Sequence, residues 1–393
     1  MIPSSPPSSD NNNKNNNKSI PQTMKAAQGK GYGDIDDMIF VATDVPVPTL
    51  AAVVPESKRK TKMLVKCLAV ALAPGDIRVL SGKTRKFQGP PSFPYIPAGD
   101  CCGIVQELPE EAVSDKDLPF TIGDRVAVRF CGENYGALGE YAIVSTLVAD
   151  KVPQSISSDE AAALASASPA TLLADRIQPG ERVLVLGAGG GLGSHFCQLI
   201  KRERGASYVV GVSKAPSTQL TEPPISVDKA VDYNQQDVWT MPEFVDQPFD
   251  VVVDFATGHW PRIVQDHSAG KPLIVKSHAQ GGRYITTSPD APSYEIPSIW
   301  KMMEIFLFPA LWRAAASRTW YRSSLPAYTY ALALPSERDV MTRTLALAQD
   351  GKVQAVMDPQ GPFPFTQQGV RQAYRLQESR HPHGKVVIHI ADK

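Results

Sequence analysis

The run Val183 to Gly193, VLVLGAGGGLG, decides the fold: an apolar stretch enters a cluster of five glycines. Beyond it Leu192, Phe196, Leu199 and Ile200 recur at helical spacing on one face, so strand, turn and helix follow in order. Glycines let a backbone approach a pyrophosphate closely, and a helix N-terminus offers N–H groups and a positive dipole end to it. With its last glycine at Gly193 the motif reads Ala188-x-Gly190-x-x-Gly193, an alanine standing at the first position of the usual fingerprint. The alternative to a dinucleotide cradle here is a plain tight turn.

The second strand bears on which dinucleotide would bind. An acid about 20 residues past the glycines accepts from the ribose hydroxyls of a cofactor without a 2′-phosphate. Here VVGVSKAPS ends its strand with Ser213 and Lys214 and no acid in reach. A hydroxyl beside a cation suits a phosphate monoester, which predicts NADPH over NADH; the alternative for Lys214 is an ordinary solvated lysine.

Outward from this motif, 393 residues with 42% apolar content can bury a sizeable core and suggest two domains. Lys plus Arg balance Asp plus Glu at 40 each, so no basic field favours nucleic acid or an anionic membrane. The longest apolar runs, such as Ile305 to Leu311 with Pro309 inside, fall short of the roughly 18 to 20 residues of a membrane span. Five cysteines, Cys67, Cys101, Cys102, Cys131 and Cys197, suit free thiols in a reducing compartment. A cytoplasmic location is therefore expected, an organelle remaining open.

Residues 1–23, rich in Asn, Ser and Pro, are expected to be a disordered tail; they hold neither a secretory apolar core nor the arginines of a mitochondrial presequence. Residues 24–153 carry short strand-like runs, MLVKCLAVAL, GIVQEL, DRVAVRF and EYAIV, separated by Pro, Gly and Asp turns. Residues 154–325 alternate helices with RVLVLGA, SYVVGV, FDVVVDFA and RYITTS, the signature of a parallel, doubly wound sheet. Residues 326–393 add a helix ending at Gly351 and a late strand, GKVVIHI, expected to rejoin the first domain.

The ordered succession of MKAAQ, VPVP, FPYIPAGDCCGIV, IGDRVAV, LGEYAIV, QPGERVLVLGAGGGLG, FDVVVDFATG, GGRYITTS and HGKVVI resembles the medium-chain dehydrogenase/reductase superfamily, and within it the zinc-free quinone oxidoreductase-like branch. The resemblance runs from about Met24 to Ile390. It implies an α/β fold, a Rossmann domain inserted in a GroES-like β-rich catalytic domain, with the active site in the cleft between them and a homodimeric assembly. Gly190, Gly191, Leu192 and Gly193 would then lie under the pyrophosphate, Ser213 and Lys214 at the 2′-phosphate, and Tyr233 near the adenosine ribose. Tyr233 has the alternative of an ordinary amphipathic tyrosine. Lys385 matches a lysine placed near the cofactor, and Asp254 and Gly258 line the cleft in this architecture, although Asp254 has a turn as its alternative role.

Zinc-dependent relatives carry a Cys-Gly-x-Asp type motif, then Gly-His-Glu. This chain has Ala73-Pro74-Gly75-Asp76 and Ala98-Gly99-Asp100, without thiolate or imidazole, and a catalytic zinc needs three protein ligands. Without a Lewis acid, hydride delivery to a quinone or an α,β-unsaturated carbonyl is the easier chemistry, because charge spreads over the conjugated system. Where quinone reductases have Asn-Pro-x-Asp this chain has Ala73, and Arg78 replaces a tyrosine two residues past the acid. No general acid is assigned; Asp76, Arg78 and Tyr135 are the candidates, each with a structural alternative. Competing expectations are an NADPH-binding but catalytically weak, redox-responsive module and an alcohol or aldehyde oxidoreductase.

Overall fold

The computed structural model describes residues 20–87, 89–90, 92–109, 118–129, 136–291, 294–331 and 338–392. The expected tail therefore lies almost wholly outside the described residues, as do Cys131 and Tyr135. Strand β1 (Thr23–Gly29) pairs antiparallel with β2 (Ile39–Pro46), so order begins next to Met24.

The longest strand, β3 (Lys62–Leu72), is buried along almost its whole length and organises the first domain. It pairs antiparallel with β4 (Asp100–Glu107) and β6 (Tyr141–Ser145). Beyond β4 come β5 (Arg125–Arg129) and β7 (Ala149–Lys151), again antiparallel.

The second sheet holds β8 (Arg182–Leu186), β9 (Tyr208–Val212), β10 (Lys229–Val231), β11 (Val251–Asp254), β12 (Arg283–Thr286) and β13 (Ala327–Tyr330) in the order β10-β9-β8-β11-β12-β13, every pair parallel. Its central strands, RVLVL, YVVGV and VVVD, are continuous apolar runs because helices cover both faces. Strand order reverses between β8 and β11, and ligands of such sheets bind in the crevice at that switch, outside the carboxyl ends.

The chain then returns. β14 (Phe363–Pro364) lies beside β15 (Val386–His389), and β15 pairs antiparallel with β3, Val386 opposite Leu72, as the late GKVVIHI run implied. Because Ala327–Tyr330 pairs with β12, the parallel sheet extends past the expected boundary at 325/326 and closes at Tyr330. A single strand of apolar and hydroxyl residues, AYTY, carries no helix signal of its own to mark it as part of that sheet.

Between the sheets runs the alanine-rich helix Ser158–Ala167, capped by Ser157 and Glu160 in a reciprocal pair. Its alanines share one core cluster with Ala69 and Cys102 of the first sheet and Val183 and Val185 of the second. Small side chains let the two domains approach closely along this helix, and Ser166 near its end is buried and accepts from the Lys385 ammonium.

Candidate functional site

At Gly189, Gly191 and Gly193 the contacts of the glycine turn leave no room for a side chain. Gly187 takes φ +81°, the left-handed region that glycine tolerates, and both Gly187 and Ala188 donate to the Val212 carbonyl. A Cβ on Gly193 would lie 2.2 Å from the Gly187 oxygen, and one on Gly189 would lie 2.5 Å from Ser213 Oγ. Gly187 and Gly189 are thus as necessary to the turn as the fingerprint positions, and the spacing rule alone passed over both. Helix Gly193–Arg202 starts at the turn, so its first N–H groups face the switch-point crevice.

Ser213 lies beside the turn and caps Ala215 N–H, while Lys214 next to it is exposed. Tyr233 follows β10 and is 50% exposed at the same sheet end. Ala188, Gly190, Gly191, Leu192, Gly193, Ser213, Lys214 and Tyr233 therefore share the carboxyl edge of β8, β9 and β10.

The returning chain closes the turn from the other side. Gly190 and Gly384 form a parallel backbone bridge, and the Lys385 stem packs where a Cβ on Gly191 would sit, 2.7 Å from Lys385 Cδ. The ammonium of Lys385 is buried and donates to the Ser166 carbonyl (3.0 Å) and hydroxyl (2.9 Å). Desolvation pushes its pKa down to about 8, with Asp100 and Asp76 acting against the fall and Arg129 adding to it. Arg129 Nη1 donates to the same Ser166 carbonyl at 3.2 Å.

His195, which no motif flagged, locks the turn in place. Its Nε2 accepts from Val356 N–H at 3.2 Å, which leaves Nδ1 as the protonated nitrogen donating to the Gly191 carbonyl at 2.9 Å. Burial, then the Lys385 charge, pushes its pKa down to about 3, so the ring is neutral.

Asp254 braces a turn, the alternative to a place lining the cleft. Its carboxylate is fully buried and accepts from Ala256 N–H, His259 N–H, His259 Nδ1 and the Tyr284 hydroxyl at 2.6 to 2.8 Å. Both oxygens are committed to the loop 255–259, so Asp254 shapes the cleft wall from behind. Gly258 sits in that loop at φ +72°, against Asp290.

On the opposite wall Asp76 and Arg78 belong to helix Pro74–Leu80. Asp76 Oδ2 accepts from Ala73 N–H at 2.7 Å, and desolvation deep in the cleft raises its pKa to about 7, with Asp100 adding to the rise. Two nearby phenols, Tyr95 and Tyr374, are buried, and among the described residues their hydroxyls have no hydrogen-bond partner. Arg78 is part-buried, its guanidinium 5.9 Å from the Tyr294 ring centroid. Among the described residues, no three His, Cys, Asp or Glu side chains gather into a metal-binding group.

Residues 59–154 match the alcohol dehydrogenase GroES-like domain, and residues 225–388 match the zinc-binding dehydrogenase family. The chain is 27% identical to a 2-methylene-furan-3-one reductase of Solanum lycopersicum, covering 94% of this chain and 80% of that protein. It is 26% identical to a chloroplastic NADPH-dependent alkenal/one oxidoreductase of Arabidopsis thaliana, covering 94% and 81%. The crystal structure of Escherichia coli quinone oxidoreductase complexed with NADPH superposes with a TM-score of 0.67 at 18% identity, over 93% of this chain and all of the other.

Proposed function

Given that the chain belongs to the medium-chain dehydrogenase/reductase superfamily, in its quinone oxidoreductase-like branch, we propose that it is an NADPH-dependent oxidoreductase reducing quinones or α,β-unsaturated carbonyls without zinc. The observation that carries this reading is the cleft itself: a glycine turn with no room for a side chain at Gly189, Gly191 and Gly193 on one wall, and Ala73 and Gly99 on the other where the thiolate and imidazole of zinc-dependent relatives would stand. The turn fits the cofactor, because a Cβ at Gly189, Gly191 or Gly193 would collide with its own supports, and only bare backbone lies there.

Gly190, Gly191, Leu192 and Gly193 would hold the pyrophosphate, Ser213 and Lys214 the 2′-phosphate, and Tyr233 the adenosine side. When bound, NADPH supplies the hydride. His195 and the Gly190–Gly384 bridge keep the turn in register with the catalytic domain, so that donor and acceptor sites cannot drift apart. Lys385, on Ser166, keeps positive charge beneath the turn. Asp76, with its raised pKa, holds a proton near neutrality and is the group on the acceptor wall able to give one to an enolate or quinol oxygen.

A homodimer through the open edge of β13 is part of the same reading; nearby, Trp300, Leu307, Phe308, Leu311, Trp312 and Trp320 leave an exposed apolar face. Light scattering tests it. Cytoplasmic residence also belongs to this reading, and fractionation of the tagged protein checks it; no described helix is long and apolar enough to cross a membrane.

The test of activity is NADPH oxidation by chelator-treated protein with benzoquinone, phenanthrenequinone, an alkenal and a simple aldehyde. Turnover confined to the conjugated acceptors is expected. Turnover of the aldehyde alone, or activity restored only by zinc, overturns the proposal, and tight NADPH binding without any turnover favours a binding module.

A further inference from the structure

Arg78 stands in the cleft, and among the described residues its guanidinium forms no ion pair within salt-bridge distance. Its neighbours are the Asp76 carboxyl, which feels the Arg78 charge, and aromatic rings. Tyr294 lies beneath the guanidinium at 5.9 Å; Phe306 meets Tyr294 edge-on at 5.2 Å; Tyr330 meets Phe306 at 6.1 Å. Tyr330 ends β13, at the carboxyl edge where the crevice opens, and its hydroxyl is already spent on the Thr287 carbonyl at 3.2 Å. One domain thus supplies a cation and the other supplies a continuous wall of rings, and the two face each other across the cleft.

The arrangement has a physical consequence for what can fill it. Closing a flat, neutral carbonyl compound over a part-buried guanidinium strips water from the charge and returns only stacking and neutral acceptors, a weaker exchange than a second charge gives. A flat molecule carrying an anionic group returns a charge-assisted, two-pronged hydrogen bond, while its rings lie against Tyr294, Phe306 and Tyr330. Resting on the reductase reading above, the geometry points to an acceptor subsite for planar conjugated carbonyls that bear a carboxylate, sulfonate or similar anion, with Arg78 as the residue that selects them. Arg78 acts on binding, and the hydride acceptor carbon keeps its position under the aromatic wall.

The test pairs naphthoquinone with naphthoquinone sulfonate, NADPH in excess, using the full chain and its Arg78→Ala, Arg78→Lys and Tyr294→Leu variants, each checked for folding by circular dichroism. The quantity read is the sulfonate-to-neutral ratio of kcat/KM in each variant against the same ratio in the parent, which cancels the different reactivities of the two quinones. Arg78→Ala should lower that ratio about tenfold or more, chiefly through KM for the sulfonate. Arg78→Lys should restore part of it, since the charge remains and the planar fork is lost. Tyr294→Leu should weaken both quinones and leave the ratio near the parent value.

A ratio unmoved by Arg78→Ala, or equal losses of kcat with both quinones, overturns the subsite. Equilibrium binding of anthraquinone sulfonate to the protein with NADP⁺ separates the two failures. Binding weakened about tenfold by Arg78→Ala, with no turnover of either quinone, removes the reductase reading and keeps the anion subsite. Brisk turnover with binding indifferent to Arg78 does the reverse.

Discussion

The two walls of the cleft are built on opposite principles. The cofactor wall is made of backbone: Gly187 to Gly193 present amide groups, and the side chains nearby, Ser213, Lys385 and His195, brace the turn. The acceptor wall is made of side chains, Asp76, Arg78, Tyr294, Phe306 and Tyr330, gathered from helix Pro74–Leu80, a connecting segment and the end of β13. A backbone site tolerates little substitution where a Cβ would meet its own supports, as at Gly189, Gly191 and Gly193. A side-chain site can be rewritten one residue at a time, and here Ala73 and Arg78 depart from the branch's usual Asn and Tyr.

The sharpest way to break this contrast is at Gly193. A Cβ there lies 2.2 Å from the Gly187 oxygen and 2.9 Å from Ala188 Cα, both immobile backbone. Gly193→Val should abolish measurable NADPH binding in calorimetry; binding within about threefold of the parent would refute the all-backbone description, since a shift of even that size is worth under 1 kcal/mol.

Next in size is His195→Ala. The buried Val356 N–H and the part-buried Gly191 carbonyl lose their partner, at about 1–3 kcal/mol for an unsatisfied buried group. Thermal unfolding should show a clear fall in Tm, with weaker NADPH binding as the turn loosens. A loss of stability with NADPH affinity intact would limit His195 to the domain seam.

Lys214→Ala should do less, because the residue is exposed and its contact with a 2′-phosphate would be partly screened. The expected loss is about 1–2 kcal/mol in NADPH binding and none in NADH binding. Equal effects on the two cofactors would remove the assignment of Ser213 and Lys214 to the 2′-phosphate.

The contrast between the walls also explains what the sequence discloses. The strand, glycine turn and helix at Val183 to Arg202 are contiguous, so local periodicity and composition reveal them, and the parallel sheet follows from strands spaced by helices. Gly187 and Gly189 escaped because their need arises from a φ angle and from Ser213 on the next strand. His195 reads as one more residue of an amphipathic helix until the returning chain brings Val356 to it, 161 positions on. Tyr294 and Tyr330 are further still from Arg78 in sequence, and only the closed cleft makes them neighbours. For Asp254 the sequence left a turn as the alternative to lining the cleft, and four donors from residues 256, 259 and 284 take up its carboxylate.

The smallest expected effect sets the two walls against each other through pH. Asp76 has its pKa raised by desolvation from 3.8 to about 7, so between those values the folded protein keeps a proton that the unfolded chain has released. That term makes the protein less stable as pH rises from about 4 to about 7. His195 has its pKa lowered by desolvation from 6.5 to about 3, so across that window the unfolded chain takes up a proton that the folded protein refuses. That term makes the protein less stable as pH falls from about 6.5. The windows overlap and the signs oppose, so in the parent the two contributions largely offset between about pH 4 and 6.5. Tm measured against pH for Asp76→Asn should fall more steeply on the acid side than in the parent, and for His195→Gln it should fall less steeply. Parallel profiles for the parent and both variants would mean that neither group carries a proton difference between folded and unfolded chains, and Asp76 would then lose its place as the proton-bearing group of the acceptor wall.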